Sequence, residues 1–227
     1  MSSESELYQG IYEVSEAARI IRTTSRFLET HYLINNRHVL RWIHNGLSLP
    51  ALSEVPGREL TISFTDLVSM RVIALLRIAG MTWRQIYAAE DWVREHVGAP
   101  RPFATERFWT DPRDIYTRYE DRFIAASLGG QYPFTELIEE RLLPIAGLTF
   151  NEEGIADSWT LLPIREVLLK PSVQFGAPCV RKTRIPTKTI WEMHEGGDSP
   201  GFIARVYELE LKQVEEAIEW EERLAAA

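Results

Sequence analysis

Apolar residues recur at helical spacing near both ends of this chain and at shorter, strand-like spacing in between. Ala17, Ala18 and Ile21 predict a helix over Glu16–Arg22, with Ser15 as its N-cap. Val39, Leu40 and Ile43 predict a second over Asn36–His44, and Gly46 follows as a stop. The segment between them, Thr23–Asn35, is longer than the three to four residues of an ordinary helix-turn-helix turn. Leu49–Ile62 sets Pro50, Pro56 and Gly57 between short apolar pieces, which reads as a hairpin or wing. Ser63 with Asp66 resembles a capping box, opening a helix whose stripe is Leu67, Met70, Ala74, Leu75 and Ile78, ended by Gly80. Thr82 with Gln85 opens another, with Ile86, Ala89, Val93 and Val97 on one face and Gly98 beyond.

The pattern then changes. Phe103–Thr110 and Ile115–Tyr119 flank the turn Asp111-Pro112-Arg113-Asp114. A short helix fits Thr135–Leu143. Thr149–Phe150 and Trp159–Leu162 flank polar Asn151-Glu152-Glu153-Gly154, a second hairpin. Helical spacing returns after Pro186, which starts a helix where its missing N–H costs nothing. That helix is Thr187–Glu195, stopped by Gly196-Gly197. Asp198-Ser199-Pro200 caps Pro200–Tyr207, and the last helix is Leu211–Leu224, with Leu211, Val214, Ala217, Ile218 and Leu224 facing inward. The predicted fold is mainly α with small β elements. It has three parts: a winged helix-turn-helix module at 1–98, a small β-containing α+β middle at 99–170 and a trihelical module at 171–227.

Composition narrows the function classes. An apolar fraction of 45% and seven tryptophans supply real cores. The first seven residues read as a polar tail. No apolar run approaches the ~18 residues of a membrane span, and no charged-then-apolar leader is present, so the expectation is a cytoplasmic protein without a membrane partner. The single cysteine, Cys179, excludes an internal disulfide and reads as a small buried hydrophobe.

Charge is distributed unevenly. The whole chain carries −8, yet Arg19–His44 holds Arg19, Arg22, Arg26, Arg37 and Arg41 against Glu29 alone, a local charge of +4. Phosphate affinity follows local rather than net charge. A basic island on paired helices points to DNA. In a helix-turn-helix the second helix enters the major groove and its early residues meet base edges, here Asn36, Arg37 and His38, with Arg41 one turn on. Arg19 and Arg22 would then lie on phosphates. Trp42, between Leu40 and Ile43, reads as core, Trp83 as a staple over the helix start, and Met70 and Met81 as core.

The last helix carries Glu215, Glu216, Glu219, Glu221 and Glu222, a density that repels phosphates. It reads either as a solvated acidic face or as a docking surface for a basic protein, with Glu215, Glu216, Glu219 and Glu222 and the loop residue Arg184 as contacts. Arg184 fits equally a structural role beside Ile185. Gly196-Gly197-Asp198-Ser199 is accounted for by a helix stop and an N-cap. Catalysis is not expected. There is no Gly-x-Ser-x-Gly and no Gly-rich loop with Lys for phosphates, and His31, His38, His44, His96 and His194 have no metal spacing, so no cofactor or metal is implied.

Two stretches carry resemblances. Pro171, Phe175-Gly176-Ala177-Pro178, Thr183-Arg184-Ile185-Pro186, Gly196-Gly197-Asp198-Ser199, Tyr207 and Ala217-Ile218 together resemble the bacterial family called domain of unknown function 433, over about a quarter of the chain. Lys182 takes the place of that family's usual glycine, and Glu210 that of its small polar cap before the last helix. Val14-Ser15-Glu16-Ala17-Ala18-Arg19, Leu40-Arg41-Trp42-Ile43 and Phe64-Thr65-Asp66-Leu67 through Ile86 resemble the N-terminal half of a MerR-type regulator. Together the resemblances imply a VapB-like antitoxin that neutralises a PIN-like ribonuclease toxin by direct binding. They also imply that it represses its own operon by binding operator DNA as a homodimer. The alternative they leave is a stand-alone MerR-like regulator with a ligand- or protein-sensing C-terminal half, and a third is a protein–protein adaptor.

Overall fold

The chain is described here from a computed structural model, which covers residues 11–26, 35–44, 61–78, 82–97, 101–105, 108–111, 114–119, 122–125 and 147–227. Residues 49–60 of the expected wing, 27–34 of the long connection, Met81, the stops Gly46, Gly80 and Gly98, and the Thr135–Leu143 helix lie outside the described residues.

Strand β1 (Tyr12–Glu13) runs straight into α1 (Val14–Arg26). The helix therefore begins ahead of Ser15, which sits in its first turn rather than capping it. Helix α2 (Asn36–His44) has the predicted limits. Strand β2 (Thr61–Ile62) pairs antiparallel with β1, Tyr12 opposite Ile62. This pairing ties the chain before α1 to the chain before α3 (Phe64–Ile78). The α3 capping box is complete. The Ser63 N–H donates to Asp66 Oδ2 at 3.1 Å, and the Asp66 N–H donates to Ser63 Oγ at 3.1 Å. Asp66 also accepts from Arg101 Nε at 2.7 Å. Helix α4 (Trp83–Val97) starts from the Thr82–Gln85 box in the same way.

Strands β3 (Phe108–Asp111), β4 (Asp114–Tyr119) and β5 (Arg122–Ala125) form an antiparallel meander. Asp111 opposite Asp114 brackets the expected turn. The strand expected from Phe103 begins only at Phe108, because Pro102–Ala104 forms a short 3-10 turn with proline in its first position. A second sheet runs β6 (Leu148–Phe150), β7 (Ala156–Thr160), β8 (Val167–Leu169) and β9 (Cys179–Val180), all antiparallel. Its first hairpin turns where predicted, but its second strand is Ala156–Thr160 rather than Trp159–Leu162. Asn151 Oδ1 accepts from the Glu153 and Ile155 N–H groups, and Gly154 takes φ 73°.

Three helices follow, α5 (Thr187–Glu195), α6 (Pro200–Tyr207) and α7 (Leu211–Ala225). Ser199 caps α6 as expected. Glu210, an unfavoured N-cap residue, is made to work by a reciprocal box with Gln213. Lys182 adopts φ 64°, the conformation that a glycine takes without strain. Leu211 is half exposed rather than core, and Trp220, which the spacing did not single out, is fully buried.

The result is mainly α with small antiparallel sheets, and the described residues form two hydrophobic clusters. One gathers α5–α7 with Val180, Ile190, Ile203, Val214 and Ala217. The other is much larger and joins β1 and α1–α4 to the four-stranded sheet, and it includes Trp220 and Leu224 of α7. Helix α1 packs against α2, α3 and α7. The Tyr12 hydroxyl donates to the Gly176 carbonyl at 2.7 Å and the Ile11 N–H to that of Phe175 at 3.1 Å.

Candidate nucleic-acid interface

Helix α2 is held by two inward side chains, Val39 and Trp42, both fully buried. The Trp42 ring meets Trp83 edge-on at 6.2 Å, and Trp83 in turn meets Tyr87 and lies under the Arg77 guanidinium, 5.0 Å from the ring centroid. Trp83 thus fixes α2 to the start of α4. Trp42 is core, as its neighbours implied, and so is Met70.

On the opposite side of α2, Arg37 and Arg41 are exposed. They are four residues apart and share one helical stripe. Asn36 opens the helix, but its side chain lies outside the described residues, as do those of Arg26 and His44. The cap is Asn35. Its Oδ1 accepts from the His38 N–H at 3.2 Å, and its own N–H donates to His38 Nδ1 at 3.3 Å. His38 therefore occupies the place that Glu or Gln fills in a capping box. Accepting that hydrogen bond requires a neutral ring. Burial, and secondarily the Arg41 charge, lower its pKa in the same direction. The ring also lies beside Trp42, with centroids 6.4 Å apart. His38 serves the helix start before it can serve a base edge.

The α1 arginines are placed differently. Arg22 is half-buried. Arg19 is exposed but lies within electrostatic reach of two carboxylates, Glu16 on its own helix and Glu221 on α7. Burial raises the pKa of both acids, and Arg19 opposes that rise. Glu221 Oε1 also accepts from the Thr187 hydroxyl. Arg19 is thus an electrostatic link between α1 and α7 as well as a cation near the basic island. Arg71 on α3 was not legible as a special residue. It is buried, burial lowers its pKa to about 10, and its Nη2 donates to the Thr24 carbonyl in the last turn of α1 at 3.1 Å.

The acids of α7 divide in the same manner. Glu216 Oε2 accepts from the Glu166 N–H at 2.7 Å and faces Lys212 Nζ at 3.6 Å. Glu219 pairs with Arg223 one turn on. Glu215 and Glu222 are exposed, and so is Arg184, whose carbonyl accepts from Gln174 Nε2 at 3.0 Å. Cys179 is buried, and desolvation pushes its thiol up to about 11. Among the described residues no group of three His, Cys, Asp or Glu is placed to hold a metal ion, and no helix is long and apolar enough to cross a membrane.

The stretch from β8 through most of α7 holds every motif quoted above, from Pro171 to Ile218. Residues 167–220 match the family model described as a protein of unknown function, DUF433. The DUF433-like segment thus takes in two strands as well as the three helices. No curated protein matches the chain. Among solved structures, the X-ray crystal structure of Rv2018 from Mycobacterium tuberculosis is similar at a TM-score of 0.65 and 18% sequence identity, over 91% of this chain and 96% of that one. At that identity the likeness is one of fold.

Proposed function

We propose that this chain is the antitoxin of a toxin–antitoxin pair. On this reading it is a non-catalytic cytoplasmic protein that silences a PIN-like ribonuclease by direct binding and represses its own operon as a homodimer on DNA. The observation that carries the reading is the outward stripe Arg37–Arg41 on a helix whose other face is locked down by Val39 and Trp42. The element order supports it: α1 and α2, then β2, then α3 and α4, is the order that the MerR resemblance implies. Arg37 and Arg41 are the residues assigned to base edges and Asn36 to the same helix start. Arg22 keeps its assignment to phosphate, and Arg19 and His38 act first in holding the frame. The partner would meet the DUF433-like segment through Glu215, Glu222 and Arg184, while Glu216 and Glu219 shape that face from within.

Co-expression with each neighbouring open reading frame tests the reading. It predicts that one neighbour yields a ribonuclease that arrests growth alone and is silenced in a stable complex with this chain. If neither neighbour's product binds, the antitoxin assignment fails. A specific shift of the chain's own upstream DNA would then leave the stand-alone regulator.

A further inference from the structure

Between Lys170 and Trp191 the chain carries Lys170, Arg181, Lys182, Arg184 and Lys188 and no acid, within a net charge of −8. Lys170 is paired with Asp157 at 3.1 Å. Arg181, Lys182 and Arg184 are exposed, and beside them Phe175 is 63% exposed. Two loops present these side chains, and the Gln174 side chain joins them through the Arg184 carbonyl. Gln174, Phe175 and Lys182 all have positive φ, 47°, 55° and 64°. Such backbone is rare outside glycine and persists where the surroundings demand one shape. The loop backbone therefore presents an aromatic ring and three cations from fixed positions.

The same loops abut a surface of opposite character. The Arg181 carbonyl accepts from Gln213 Nε2 at 3.3 Å, which seats the basic loop against the first turn of α7. There Leu211 is 50% exposed, and Glu210, Glu215 and Glu222 are exposed. Leu211, Glu215 and Glu222 share one stripe at helical spacing. Phe202 and Val206, four residues apart on α6, add further exposed apolar area, 42% and 51%. A cationic half with Phe175 thus lies beside an apolar half of net acidic charge on one protomer, where exposed Glu208, Glu210, Glu215 and Glu222 outnumber Arg205 and Lys212.

We propose that this surface joins two copies of the chain, the Phe175–Arg184 half of each seating on the Leu211–Glu215–Glu222 stripe of the other. A two-fold rotation brings two adjacent complementary halves together twice, which is what an isologous interface requires. Whole chains of like net charge repel, so their contact needs local complementarity of this kind. Aromatic and arginine side chains are enriched at interfaces, and a preshaped loop backbone has little ordering left to lose. The inference rests on the homodimer of the proposed function, and because it uses Arg184, Glu215 and Glu222, a second copy and the toxin would compete for one face.

Sedimentation equilibrium of the full chain tests it. The wild-type protein sediments as a dimer. Phe175→Ala, Arg184→Glu and Glu215→Arg each raise the dimer dissociation constant about tenfold or more, with unchanged far-UV circular dichroism. Combining Arg184→Glu with Glu215→Arg restores association. A wild-type chain that stays monomeric at its highest soluble concentration overturns the proposal. So does a dimer indifferent to all three substitutions, or a loss that the charge swap does not recover. Both charge changes fall on exposed positions, so the test survives if Phe175→Ala does not fold.

Discussion

Lys182 holds a left-handed backbone, and its side chain is exposed. The Cβ clash there costs about 1–2 kcal/mol, while glycine's freedom in the unfolded chain returns roughly 0.5–1 kcal/mol of that. Lys182→Gly is therefore expected to stabilise the protein by up to ~1.5 kcal/mol in urea unfolding. The family resemblance flagged this position, because the missing glycine was visible and its φ was not. His38 is a second residue whose work only the coordinates show. Its folded-state pKa lies below the ordinary one, so the unfolded chain takes up the proton first as pH falls. The stability that His38 supports is full above about 6.5 and is lost as pH drops through the folded value. An imidazolium would also face the positive end of the α2 dipole and lose the Asn35 hydrogen bond. His38→Gln keeps an acceptor for that N–H without a titrating group. Thermal melts from about pH 7 to pH 5 should show a smaller decline in this variant than in the wild type.

Helix ends were the most legible elements, because caps are local. Ser63 with Asp66, Thr82 with Gln85, and Ser199 sit within three residues of what they cap, and all three act as read. Strands β8 and β9 were missed. They are three and two residues long, and their place in the sheet is set by partners elsewhere in the chain. The seam between α1 and α7 was equally hidden. Nothing in either helix's spacing says that Glu16, Arg19 and Glu221 meet. Glu16 and Glu221 both have raised pKa values, chiefly through burial. The folded protein then holds protons that the unfolded chain has already released. Stability falls as pH rises from the ordinary carboxylate range through the raised values. Glu16→Gln should raise the melting temperature at pH 7 and leave it nearly unchanged at pH 4, which a pair of calorimetric scans measures.

At the scale of the molecule, the two ends of the chain share a core. Trp220 and Leu224 from α7 belong to the cluster that holds Ile20, Ile21, Trp42 and Leu67. Trp220→Ala should cost about 3–5 kcal/mol. Wild-type unfolding should follow one transition whether read by tryptophan fluorescence or by far-UV dichroism. Two separated transitions would show that the seam does not couple the ends. For the same reason, removal of 171–227 also removes α7 from the first helix's surroundings, so a truncated chain is a poor probe of division of labour. Point substitutions on exposed side chains are the better instrument. The basic island was legible in sequence as a charge contrast. Its division into outward Arg37 and Arg41, framework His38 and bridging Arg19 was not, because that depends on what each helix leans against.

The central claim is that the outward face of α2 meets DNA. A fluorescence-anisotropy titration of the chain's own upstream duplex, with wild type and with Arg37→Ala/Arg41→Ala at two salt concentrations, tests it most directly. The account predicts specific wild-type binding that weakens steeply with salt. In the double variant it predicts a loss of about 1–3 kcal/mol for each base contact removed, with an unchanged melting temperature. Equal affinity of the two proteins for the duplex, or wild-type binding insensitive to salt, would contradict it.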